Sequence, residues 1–138
     1  MNDHVSTHQA EEDARNDQIL IWVDGALKPK AQAVGSVYDS GFMLGDGVWE
    51  GVRLYNGKWT FLDEHIDRLF EAAKAIDLDI ARTKDQVIAA ILETQAANQM
   101  TTDAHARLMV TRGDKTRPFQ HPKLSQRGPT MVIIMEHS

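Results

Sequence analysis

Residues 38–69 read YDSGFMLGDGVWEGVRLYNGKWTFLDEHIDRL, and the fold is decided there. The stretch joins a glycine-rich turn to a strand, a tight hairpin and the first turns of a helix. Gly41, Gly45, Gly47 and Gly51 stand among large apolar residues. Glycine at such places supplies a positive φ or lets another group approach the backbone. Glycines by themselves would equally make an ordinary turn between two strands. From Gly47 to Tyr55 the residues alternate, with Val48, Glu50, Val52 and Leu54 on one face and Trp49, Gly51, Arg53 and Tyr55 on the other. Asn56-Gly57 is a strong hairpin signal, and Lys58 to Phe61 is the returning strand. Asp63 is the predicted N-cap of a helix running to about Ile76, with Ile66, Leu69, Phe70 and Ala73 as its core stripe.

Upstream, Gln18 to Val23 is apolar and β-branched, a predicted strand. Asp24-Gly25 turns it back through Ala26 and Lys28, and Pro29 marks an edge. Residues 31–37 are expected to hold one further short strand, and residues 1–17 an acidic disordered tail. Downstream, Thr83 and Gln86 form a capping box for a second helix that ends near Met100. Val87, Ile88, Ile91 and Leu92 are its apolar face. His105 to Arg112 is a strand stopped by Gly113, and Thr130 to Glu136 is the last one. Between them, residues 114–129 form a polar loop of a length that is usually functional or disordered. The order is strands, two helices, strands, which predicts an α+β domain with a mostly antiparallel sheet and two helices packed on it. Only His137 and Ser138 follow the apolar last strand, so the chain is expected to be part of something longer.

Composition narrows the functional classes. The chain has 138 residues, 42% of them hydrophobic, enough for one domain with a packed core. It has no cysteine, which excludes disulfides, thiolate zinc sites and a cysteine nucleophile, and fits a reducing, cytoplasmic compartment. No apolar run approaches the ~20 residues of a membrane span. The net charge is −5, and most of it sits in the first 17 residues. The body is near neutral, with no basic stripe for nucleic acid. The histidines are scattered without metal-ligand spacing, so no metal is expected.

Several residues can carry chemistry, each with a plainer alternative. Arg68 lies one turn after His65. Its guanidinium suits phosphate or carboxylate, but spacing favours an exposed salt bridge to Glu64, Asp67 or Glu71. Arg107 sits mid-strand, either facing the core with a buried anionic partner or forming the polar half of an alternation. Arg117 is a carboxylate trap or a solvated charge. Tyr38 and Trp49 line a pocket or belong to the core.

Together these residues resemble the fold-type IV, pyridoxal-phosphate-dependent aminotransferases, over about residues 18–136. The carriers are Asp39-x-Gly41, Leu44-Gly45-Asp46-Gly47-Val48-Trp49-Glu50-Gly51-Val52-Arg53, Tyr55-Asn56-Gly57, Asp63-Glu64-His65-Ile66-Asp67-Arg68-Leu69 and Val110-Thr111-Arg112-Gly113. The resemblance implies that Arg68 binds the phosphate of pyridoxal 5'-phosphate. It implies substrate-binding roles for Tyr38, Leu44, Trp49, Gly51, Arg107 and Arg117. Trp49 stands where relatives usually carry Phe or Tyr, and Leu44 where many branched-chain enzymes have Tyr. Arg107 matches the branched-chain subgroup and Arg117 the D-amino-acid subgroup, whose nearby histidine is replaced by Phe119. Glu50-Gly51-Val52-Arg53 tilts the reading to the branched-chain side.

Family members hold the cofactor as a Schiff base on a lysine in a second, larger domain. Lys28, Lys30, Lys58, Lys74, Lys84, Lys115 and Lys123 all lie outside the matching position. Residues 18–138 are therefore expected to be the N-terminal small domain, without a catalytic residue and inactive by itself. In the complete enzyme, expected to be a homodimer, the reaction is transamination between a branched-chain-like amino acid, or an amine, and a 2-oxo acid. The alternatives are a non-catalytic dimerisation module and an aminodeoxychorismate lyase of the same fold.

Overall fold

The alternation over residues 47–55 becomes a strand of the same bounds. In a computed structural model, residues 12–119, 121 and 128–138 are described. The strands are β1 (Leu20–Val23), β2 (Ala26–Pro29), β3 (Gly47–Tyr55), β4 (Lys58–Trp59), β5 (Ala104–Thr111) and β6 (Thr130–His137). They form one six-stranded sheet in the order β2-β1-β6-β5-β3-β4, with every paired neighbour antiparallel. The helices are α1 (Ser40–Leu44), α2 (Leu62–Ala75) and α3 (Lys84–Asn98).

Period-two strands and period-3.6 helices meet on one face of this sheet. Val52 and Leu54 of β3, Ala106, Leu108 and Val110 of β5, and Met131, Ile133 and Met135 of β6 are buried there. Ile66, Leu69 and Ala73 of α2 and Val87, Ala90 and Ile91 of α3 close over them. Each buried Val, Leu or Ile contributes roughly 1.5–3 kcal/mol, so this face carries the stability of the fold. The helices lie across it in division, α2 over β3 and α3 over β1 and β6. The expected α+β architecture with two packed helices is what forms.

The capping box at Thr83 is present with both of its hydrogen bonds. Other expectations need correction. Asp63 is not the N-cap of α2. Phe61 takes a left-handed conformation (φ 54°) that starts the helix at Leu62, and Asp63 and Glu64 fall in its first turn. There their charge complements the helix dipole. Residues 31–37 hold no strand; Lys30–Gln32 form a 3-10 turn instead. Leu92 leaves the apolar face of α3 and is 46% exposed. Residues 1–11 of the expected tail lie outside the described residues, and the rest of it is tied down. Ala14–Asn16 form a 3-10 turn capped by Asp13. The Asn16 side chain acts as a short strand partner for His137, donating to its carbonyl at 3.0 Å and accepting from its N–H at 2.7 Å. Of the loop expected over residues 114–129, residues 120 and 122–127 lie outside the described residues. Among the described residues no helix is long and apolar enough to cross a membrane.

Candidate functional site

Along β3, one edge is taken by β5 from Gly47 to Leu54, while β4 pairs only with Leu54 and Tyr55. From Gly47 to Val52 the outer edge is free, and functional side chains gather on both sides of it. On the helix side, Glu50 projects among Val52 and Leu54 and is 4% exposed. A carboxylate so placed requires partners, since an unpaired buried charge is strongly unfavourable. The Arg68 guanidinium, one helix away, grips Glu50 in a fork, with Nε on Oε1 and Nη2 on Oε2 at 2.8 Å. His65 Nδ1 lies 2.9 Å from the same Oε2. The Arg68 fork, and secondarily His65, hold the Glu50 carboxyl below the ordinary glutamate value against the opposing effect of burial. Arg68 is held above the ordinary arginine value by the same pair.

This overturns the expected pairing of Arg68 with Glu64, Asp67 or Glu71; its partner is Glu50, on another element. The legible signal was an acid on the apolar face of a strand, which must find a base. With Nε and Nη2 on Glu50, Arg68 keeps Nη1 uncommitted among the described residues, and its side chain is 67% exposed. A cation aimed by a buried acid, with donors left over, suits the phosphate end of the implied cofactor.

On the other side of β3 the sheet is not covered by α2 or α3. Register places Trp49 opposite Met109, and Met109 opposite Val132. The adjacent row is Gly51, Arg107 and Ile134. Trp49 is 58% exposed, and Arg107 is exposed beside it, its guanidinium 4.1 Å from the indole centroid. Arg107 thus faces outward, and Trp49 is not core. Gly51 has an ordinary negative φ, and a Cβ added there would meet only Trp49 Cζ3, at 4.0 Å. Neither backbone nor packing requires glycine, so what Gly51 leaves is room on the open face. Gly47 differs, since a Cβ there would stand 2.6 Å from the Val110 carbonyl oxygen.

A cleft of about 940 Å³ continues this face, floored by Val23, Met109, Val132 and Ile134 and walled by Val37 and Phe42. It lies beside the Trp49–Arg107 pair, not over it. The wall belongs to the segment before β3, where Asp39 caps α1 by accepting from Gly41 N–H and Gly45 closes it with φ 66°. Tyr38 is half exposed, its carbonyl accepting from Lys115 N–H at 2.9 Å. Leu44 is half-buried at the end of α1. Arg117 is exposed, 5.5 Å from the Phe119 ring centroid. None of Tyr38, Leu44 and Arg117 lines the cleft. The structure brings Trp49, Gly51 and Arg107 together, sets Arg68 across the β3 edge from them, and does not gather the others.

Sequence reasoning missed Glu50 and the Asp46–Arg112 pair. Arg112 donates Nε to Asp46 at 2.8 Å, and its other nitrogens to the Ile76 and Asp77 carbonyls at 2.7 and 2.9 Å. It locks the turn before β3 to the end of α2. Among the described residues no cluster of His, Cys, Asp or Glu could hold a metal. Lys28 borders the cleft from β2, Lys115 is buried and donates to the His121 carbonyl at 3.2 Å, and Lys123 lies outside the described residues.

Comparison with known proteins was made on sequence and on fold. The family described as Amino-transferase class IV matches residues 47–138. Branched-chain-amino-acid aminotransferase-like protein 1 of Arabidopsis thaliana is 40% identical over 121 residues, 88% of this chain and 22% of that one. D-alanine aminotransferase of Listeria monocytogenes is 41% identical over 93 residues, 67% of this chain and 32% of its own. A solved branched-chain aminotransferase of the thermophilic archaeon Thermoproteus uzoniensis, with norvaline, superposes with a TM-score of 0.72 at 28% identity. That match covers 87% of this chain and 41% of the solved one. The chain thus spans between about a fifth and two fifths of these relatives' length.

Proposed function

This chain belongs to the class IV aminotransferases, and from that premise we propose that residues 18–138 form the N-terminal small domain of a pyridoxal-phosphate-dependent transaminase. It supplies the substrate side of the site and one arm of the phosphate site. The observation that carries this reading is the free edge of β3, with the Glu50–Arg68 pair on one side and Trp49, Gly51 and Arg107 on the other. A ligand with phosphate at one end and carboxylate at the other suits two cationic groups set on either side of the β3 edge. Arg68 binds the phosphate through the donor that Glu50 leaves free. Arg107 binds the substrate carboxylate, and Gly51 leaves room for the substrate beside Trp49.

The cofactor, once bound, supplies the electron sink that lets an amino group pass between an amino acid and a 2-oxo acid. The residues described here orient and hold; a lysine moves the proton. The 138 residues by themselves are proposed to be inactive. The preferred donor is a branched-chain-like amino acid or an amine, the acceptor is a 2-oxo acid, and the complete protein is a cytoplasmic homodimer. Tyr38, Leu44 and Arg117 are proposed to reach the substrate only in that assembled state.

The test is a donor panel on the complete gene product. L-leucine, D-alanine and (R)-1-phenylethylamine are each supplied with 2-oxoglutarate and the cofactor, and glutamate is measured. Glutamate from L-leucine at the highest rate supports the reading. Cofactor binding without glutamate from any donor, but with elimination from aminodeoxychorismate, replaces it by a lyase. Neither binding nor turnover leaves a non-catalytic dimerisation module.

A further inference from the structure

Arg107 has an unusual setting for a strand arginine. Among the described residues it takes part in no ion pair and no side-chain hydrogen bond, and its recorded partner is the Trp49 ring at 4.1 Å. The pairing is diagonal, because register sets Trp49 opposite Met109 and Gly51 opposite Arg107. Diagonal neighbours on a sheet are within reach only of aromatic and long side chains. Gly51 leaves the space between them open. It puts no side chain opposite Arg107, and the indole leans across that space until Cζ3 is 4.0 Å from the missing Cβ.

A guanidinium lying on an aromatic face uses only its own face for the contact. Its N–H groups point outward in the plane, free to take a carboxylate in a bidentate fork. A long arginine side chain without the stack would have to be ordered when the ligand arrives. The stack orders it beforehand.

We propose that Trp49 is a positioning residue for Arg107, its indole holding the guanidinium flat on the open face so that the site selects ligands by their carboxylate. This rests on the reading of Arg107 as the carboxylate binder, and the experiment separates the two. Trp49 and Arg107 are both exposed, so replacing them opens no cavity in the core.

The complete protein carrying its cofactor is titrated calorimetrically with 4-methylvalerate, an unreactive branched-chain acid, and with 4-methylvaleramide, its uncharged counterpart. The proteins are the wild type, Trp49→Phe, Trp49→Leu, Arg107→Gln and the Trp49→Leu/Arg107→Gln double variant. In Trp49→Leu the affinity for the acid is expected to fall about five- to tenfold relative to that for the amide. Trp49→Phe, which keeps a ring face, restores most of the loss. Arg107→Gln weakens the acid at least as much, and adding Trp49→Leu to it costs nothing further. If Arg107→Gln loses affinity while Trp49→Leu binds the acid normally, the positioning role is overturned and the carboxylate reading stands. Equal losses of acid and amide in Trp49→Leu make Trp49 a plain apolar wall, which also overturns it. Normal acid binding by Arg107→Gln overturns both.

Discussion

On the helix side of β3, Val52 and Leu54 are buried under α2 and Glu50 is tied to Arg68, whereas on the opposite side Trp49 and Tyr55 are more than half exposed. The same alternation produced both sides. The helix side behaves as a core whose one charged group is fully partnered. The open side carries Trp49, Arg107, Met109, Val132 and Ile134, a mixture that neither packs under α2 and α3 nor reads as a water-facing surface. The difference teaches that one strand serves two purposes. Its inward residues hold the fold and aim Arg68, and its outward residues are left available.

The sharpest way to break this contrast is to truncate each side equally. Leu108→Ala, in the wholly buried layer, is expected to cost about 2–5 kcal/mol in urea unfolding. Trp49→Ala is expected to cost less than about 1 kcal/mol, although it removes a larger side chain. Similar losses at the two positions would mean that the open face is core after all.

A smaller effect is expected at the Glu50–Arg68 pair. Glu50→Gln loses a charge-assisted fork, but Arg68 is exposed enough to be hydrated, so about 1–2 kcal/mol is expected at neutral pH. The pH dependence follows from the lowered Glu50 carboxyl. Its folded value lies below the unfolded one, so the unfolded chain binds more protons between them. The stabilisation is complete above the ordinary glutamate value and fades as pH falls through the lowered one. The melting-temperature gap between wild type and Glu50→Gln should therefore narrow from pH 7 to pH 3. A gap that is constant or widens towards acid contradicts the pairing.

Gly51→Ala should be the mildest for stability, within about 0.5 kcal/mol, because its φ is ordinary and its Cβ meets only Trp49 Cζ3. Turnover of bulky donors by the complete protein should nevertheless fall relative to that of small ones. Unchanged donor preference would remove Gly51 from the site.

The helix side was legible in the sequence because period-two and period-3.6 patterns describe burial directly, and Asn56-Gly57 and the Thr83 box punctuate them. α1 was missed because glycines in and around Ser40–Leu44 mask a helix made by its caps, Asp39 and Gly45. The start of α2 was misplaced because a left-handed Phe61 has no sequence signature. The partner of Arg68 was misassigned because spacing rules rank neighbours on the same helix, while Glu50 arrives from another element. The outward position of Arg107 could not be chosen from alternation, since an arginine fits either face until the helices take one.

The central claim, that Glu50 aims Arg68 at a phosphate, is tested most directly by comparing the affinity of the complete protein for pyridoxal 5'-phosphate and for pyridoxal. The account predicts that Arg68→Ala weakens the phosphate ester more than about tenfold, as expected for loss of a charged hydrogen bond of roughly 1.5–3 kcal/mol. It predicts almost no change for pyridoxal. An Arg68→Ala variant that still prefers the phosphate ester as strongly as the wild type would contradict it.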